Sequence, residues 1–174
     1  MEIRFVIPEL NRLDAIRCDA LVLPFFSDDV PTQGALGLAD WRLCGLISRM
    51  NVRKKILGSW LETVLLPGYP RLGMDKLILV GVGETARFNG ELFGQALAHM
   101  LLILSRSAAR ISALVLPGRQ LGLIEPVPAI EALLQLASRY PEQDELFVVD
   151  TDEAHRAMKP VLDLERRKAR NLVE

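Results

Sequence analysis

Residues 75–104, DKLILVGVGETARFNGELFGQALAHMLLIL, decide the fold. Lys76 to Val82 is an apolar run of strand length, Gly81 and Gly83 make a Gly-x-Gly turn, a polar loop follows, and Glu91 to Ser105 has helical apolar spacing. Strand, turn and helix in that order is the repeating unit of α/β proteins. Downstream the unit recurs: Ala113 to Leu116 reads as a strand ending in Pro117-Gly118, Ala129 to Tyr140 as a helix and Leu146 to Val149 as a strand. Glu153 to Arg170 reads as one helix, or two broken at Pro160. Upstream, Ile3 to Ile7 and Ala20 to Phe26 have strand character, Asp28 to Gly37 reads as a loop, and Leu38 to Met50 as one helix stopped by Asn51. Glu62 to Leu66 forms a strand whose link to Lys76, PGYPRLGMD, is too rich in Pro and Gly for a crossover helix. An antiparallel pair inside a mixed sheet is expected there.

A chain of 174 residues is expected to form one domain, 1–174, with a core large enough to need neither disulfide nor metal. Half of its residues are hydrophobic and the mean hydropathy is +0.22, yet no apolar run has bilayer-crossing length. The surplus is expected in a core or an interface. A net charge of −1, from 21 Lys and Arg against 22 Asp and Glu, provides no global field for nucleic acid or an anionic membrane. Cys18 and Cys44 are too few for a disulfide framework, and MEIRFVIPEL lacks a leader pattern, so the chain reads as reduced and cytoplasmic.

Several weak motifs stand in a fixed order: CDALVLP at Cys18 to Pro24, the loop holding Gly34 and Gly37, the helix with Trp41, ETVLLPG at Glu62 to Gly68, and KLILVGVGE at Lys76 to Glu84 before the long helix. Across roughly residues 15 to 118 this order resembles the N-terminal domain of leucyl aminopeptidases (peptidase family M17). The resemblance implies a macro-domain-like fold, three-layer α/β/α around a mixed sheet. In that family the peptidase chemistry, with two metals held by lysine and carboxylates, sits in a separate C-terminal domain that has no counterpart in these residues. The resemblance therefore implies no aminopeptidase activity by itself, no cofactor and no stoichiometric metal.

ADP-ribose-binding macro domains carry an Asp near the start of a strand, an Asn-containing segment at its end and a glycine-rich loop before the next helix. Here Asp19 takes the first place, Leu23-Pro24-Phe25-Phe26 the second, without the Asn, and Gln33 to Gly37 the third. Pro31 removes an N–H from that loop, and Asp28 and Asp29 would repel a diphosphate. Gly81 and Gly83 end a strand before a helix, where open α/β sheets place ligands, but the dinucleotide fingerprint is incomplete and a structural turn is the competing reading. Asn89 either lines that edge or caps the helix behind it. The candidate ligand set is thus Asp19, Gly34, Gly37, Gly81, Gly83 and Asn89, with any small ligand expected on the loops Phe26 to Gly37 and Gly81 to Asn89.

No metal set or nucleophile completes itself. Asp150, Asp152 and Glu153 read as a helix cap rather than a magnesium site, and His155 as a surface histidine. Cys44 lies on the apolar face of the expected helix and reads as core; His99 is an isolated helix histidine; ERRKAR at Glu165 to Arg170 reads as a solvated helix end. In the helix Glu91 to Leu104 the apolar residues nearly circle the C-terminal half, and Leu102 falls off the main stripe. Either another helix or a second subunit is expected to cover it, and Leu102 is the candidate interface residue. Two functions remain. One is a non-catalytic interaction, assembly or regulatory module, acting as a homo-oligomer or beside a protein partner. The other binds, or also hydrolyses, an ADP-ribose-type nucleotide. Nucleic acid and membrane are not expected partners.

Overall fold

The computed structural model describes residues 1–29 and 32–171. Six strands, β1 (Glu2–Val6), β2 (Cys18–Phe26), β3 (Thr63–Pro67), β4 (Met74–Gly83), β5 (Ile111–Leu114) and β6 (Glu145–Val149), form one sheet in the order β1-β6-β5-β2-β4-β3. All neighbours are parallel except β3, which runs antiparallel to β4 with Thr63 opposite Val80 and Leu66 opposite Leu77. The mixed sheet and its antiparallel pair are as the sequence implied. β2 and β4 are apolar along their length because both of their faces are covered.

One face of the sheet, carrying Ala20, Val22, Ile78 and Val80, is buried by α4 (Gly90–Arg106), α5 (Pro126–Ala137) and α6 (Asp152–Asn171). The other, carrying Leu21, Leu23, Phe25, Leu77 and Leu79, is buried by α1 (Leu10–Ala15), α2 (Gly34–Arg42) and α3 (Leu46–Val52). These are the three layers of an α/β/α fold. Each fully buried Leu, Ile or Phe on the two faces contributes about 1.5–3 kcal/mol.

The helix expected over Leu38 to Met50 is corrected to two. α2 begins at Gly34, inside the expected loop, and the chain turns through left-handed Cys44 (φ 56°) and Gly45 (φ 75°) before α3. Asp40, 7% exposed, makes the break tolerable: its Oδ1 accepts the Ile47 N–H at 2.7 Å and the Ser48 N–H at 3.2 Å, capping α3 from the preceding helix. Cys44 consequently points to the surface rather than into the core, where Arg71 donates to its sulfur at 2.8 Å. α6 runs through Pro160 as a single helix. The Pro31 reading falls on residues 30–31 and the end of ERRKAR on side chains 169 and 170, outside the described residues. No helix among the described residues is long and apolar enough to cross a membrane.

Candidate functional site

β2, β4, β5, β6 and β1 all run the same way, so the residues that follow them gather at one edge of the sheet. Open α/β sheets place ligands at this edge. The loops that follow β2 and β4 are tied together there: Asp28 Oδ1 accepts the Thr85 N–H at 3.0 Å and Oδ2 its hydroxyl at 2.7 Å, while Ser27 N donates to Gly83 O at 2.9 Å. The Thr85 hydroxyl and N–H hold the Asp28 carboxyl below the usual carboxylate range. Asp29, half-buried beside it, is pushed up by burial and then by the charge of Asp28.

Between the ends of β2 and β5 the edge opens into a cavity of about 110 Å³, lined by Phe26, Asp29, Gly34, Leu116, Gly118 and Gln120. The chain occupies part of this crevice itself. Gly34 is left-handed (φ 56°), and any side chain built on it would overlap the Gln120 amide. Gly118 (φ 74°) likewise makes room for Phe88, 2.8 Å from where a Cβ would stand. Arg119, between them, donates from Nε to Asp150 Oδ2 at 2.9 Å; its side chain is 10% exposed and that of Asp150 2%. Its guanidinium also donates to the Ile124 carbonyl. A buried, hydrogen-bonded ion pair therefore pins the segment that plugs the crevice.

This overturns the capping role expected of Asp150. Thr151 caps α6 instead, its hydroxyl accepting the Ala154 N–H at 3.2 Å, and Asp152 pairs with Arg156, so the carboxylates do not converge. Among the described residues no group of three His, Cys, Asp or Glu could hold a metal ion. His155 is not a surface residue: it is 8% exposed and stacks on Phe5 with centroids 4.6 Å apart. Burial, against the pull of Asp150 and Asp152, lowers its pKa.

The candidate ligand residues do not form one set. Asp19 sits at the opposite edge, seven residues back along β2 from Phe26 and so about 23 Å away, where its carboxylate accepts the Arg110 N–H at 2.7 Å and the Ile111 N–H at 3.0 Å. Those amides hold its pKa low. Gly37 lies within α2, against the Thr32 carbonyl, and lines a different groove together with Trp41 and Arg71. Gly81 is required by packing, since a side chain would collide with the Ser59 carbonyl. Gly83 (φ 77°) is open and lines a solvent-open depression of about 370 Å³ with Ser27, Trp60 and Arg87. Asn89 caps α4, its Oδ1 accepting the Glu91 and Leu92 N–H groups at 3.0 and 3.1 Å. Leu102 is half-buried and belongs to neither core cluster. Only Gly34 touches the crevice.

Sequence reasoning missed Gln120, Arg119 and the Asp28–Thr85 tie. Gly118 beside a strand end was the one available signal for the first two.

A model of the cytosol aminopeptidase family, N-terminal domain, matches residues 22–138. A probable cytosol aminopeptidase of Trichormus variabilis is 24% identical over 135 residues, covering 78% of this chain and 27% of the relative. One from Synechocystis is 28% identical over 102 residues, covering 59% and 21%. The chain thus spans about a quarter of the length of these relatives. A Trypanosoma brucei macrodomain in complex with ADP superposes with a TM-score of 0.72 at 12% identity, over 92% of this chain and 69% of that one. A tomato leucine aminopeptidase mutant gives 0.62 at 17% identity, over 91% and 35%. At these identities the structural likeness is one of fold, and the fold is that of macrodomains.

Proposed function

The chain belongs to the cytosol aminopeptidase family, as its N-terminal domain, and from that premise we propose that it is a non-catalytic interaction and assembly module of the cytoplasm. The observation that carries this reading is the plugged crevice. Sites for drug-sized ligands are enclosed spaces of about 300–1,000 Å³; the crevice between the ends of β2 and β5 is about 110 Å³, and the larger space beside Gly83 and Trp60, about 370 Å³, is open to solvent. Asp29 contributes a carboxylate where a diphosphate would need donors.

The side chains able to do chemistry support the same reading. His99 is engaged by the Thr63 hydroxyl at 2.9 Å, and His155 is buried against Phe5. Burial, with the neighbouring Asp19 charge, pushes the Cys18 thiol up to about 12, which leaves it protonated and inert at neutral pH. Among the described residues Cys18 has no base beside it, and the one hydroxyl–imidazole contact among these groups, Thr63 to His99, has no third side chain hydrogen-bonded to the ring to orient it as a base. The relatives' description as cytosol aminopeptidases supports the location.

The rival reading takes its ligand class from the Trypanosoma brucei macrodomain, solved with ADP and with ADP-ribose. Melting the protein with millimolar ADP-ribose separates the two. The module reading expects an unchanged melting temperature. A rise equivalent to about 2.7 kcal/mol, the linkage expected at a hundredfold excess over Kd, would establish the nucleotide reading.

A further inference from the structure

β3 is the antiparallel end of the sheet, and nothing within the described residues pairs with its outer side. Gly68 N donates to Asp75 O at 2.9 Å and Gly81 N to Glu62 O at 2.7 Å, so on β3 the even-numbered residues Val64 and Leu66 direct their main-chain groups toward β4. Thr63, Leu65 and Pro67 direct theirs outward. Pro67 has a carbonyl but no N–H to offer.

That pattern is self-complementary about one residue. When a second β3 approaches antiparallel with Leu65 facing Leu65, the two leucines exchange both hydrogen bonds, and each Thr63 N–H meets the other copy's Pro67 carbonyl. Centring the pair on Pro67 would forfeit the exchange, because proline has no donor. β3 itself carries no charged residue, so no like-charge contact within the strand opposes the pairing.

The surface around the strand is apolar as an interface requires. Leu65 is 61% exposed, Tyr69 76% and Trp60 37%. Pairing about Leu65 brings the exposed Trp60 and Tyr69, which flank the two ends of β3, toward the other copy. Thr63 and Leu65 project on the α4 side, where Thr63 touches His99, and Leu102 lies on α4 at i+3 from His99.

We propose that β3 is a self-association edge: two copies of this chain join antiparallel about Leu65, continuing the sheet across a two-fold axis. The proposal rests on the assembly reading above and names its surface.

The test combines sedimentation with cross-linking in a Cys44→Ser background, which removes the exposed native thiol. Wild type is expected to be dimeric, and Leu65→Lys to weaken the dimer by about 100-fold through like charges at a paired position, with unchanged circular dichroism and with the same melting as wild type at dilutions where both are monomeric. Leu65→Cys is expected to form a disulfide-linked dimer on mild oxidation, because directly opposed, hydrogen-bonded residues have Cα atoms about 5.5 Å apart, within disulfide range. Thr63→Cys should not cross-link, since its copies would stand about 13 Å apart along the strands. A dimer indifferent to Leu65→Lys, with position 65 cross-linking no better than 63, overturns the β3 edge and leaves assembly by another face. A wild type that is monomeric at high micromolar concentration overturns both, and a foreign protein strand on β3 would then be the occupant to seek.

Discussion

The two outer strands of the sheet meet opposite treatment. On β1, Arg4 reaches Glu145 on the neighbouring strand at 2.6 Å and Glu2 at 3.2 Å, and Arg166 from α6 donates to the Ile3 carbonyl at 3.0 Å. His155, also from α6, covers Phe5. β3 carries no charge, presents Leu65 to solvent and receives only the Thr63 to His99 contact from α4. Unpaired strand edges are templates for further pairing, and charge or a covering element is how chains block it. The guarded edge shows what this chain does when an edge is to stay free. The bare one is the edge left for use.

Making β1 resemble β3 should break the asymmetry most visibly. Glu2→Thr and Arg4→Thr together with Arg166→Ala remove the charged guards from β1, and with two unguarded edges the sheet is expected to propagate. Light scattering should then report species larger than a dimer, and adding Leu65→Lys should return them to closed, small assemblies.

A second variant separates stability from association. Phe5→Ala removes the ring under His155, and its half-buried position scales the loss to about 2 kcal/mol, below the range for a fully buried phenylalanine. Denaturant melts should show that loss while the association constant stays put, because β1 and β3 lie five strand spacings apart, about 24 Å.

Each edge also carries a histidine whose pKa is lowered, His155 chiefly by burial and His99 by burial and then Arg106. A depressed pKa means that the unfolded chain binds the proton more readily. The stability from each neutral ring is therefore present above the ordinary value of 6.5 and lost as pH falls through the lowered folded value. Thermal melts from pH 7 to 5 should show falling stability, with His155→Leu and His99→Leu each removing part of the slope. Arg166→Ala is expected to give the smallest change, about 1 kcal/mol from one hydrogen bond at a partly exposed site, read in the same melts.

What was legible in the sequence follows the range of the forces involved. β2, β4 and α4 announce themselves because long apolar runs and helical spacing are local properties. The antiparallel β3 was legible from the Pro and Gly linker that leaves no room for a crossover. α1 was invisible because LNRLDA, at six residues, is too short to show a period. The split between α2 and α3 depends on Asp40 reaching Ile47, a capping bond from another helix that periodicity does not encode. Asp150 reads as a cap because Glu153 follows it by three residues; its actual partner, Arg119, lies 31 residues away in sequence. The plug over Gly34 was hidden for the same reason, since Gln120 arrives from the far side of β5. Leu102 was singled out by sequence as needing cover, and it lies on the side of α4 that carries the His99 contact to Thr63.

The most direct measurement is residue-resolved hydrogen exchange at the Leu65 amide. That N–H points away from β4, so within one copy it has no strand partner and should exchange as freely as an exposed loop amide. At concentrations where the protein is associated, the account predicts a protected Leu65 amide whose protection disappears on dilution and in Leu65→Lys. Rapid exchange at position 65 in a protein shown by sedimentation to be dimeric would contradict it.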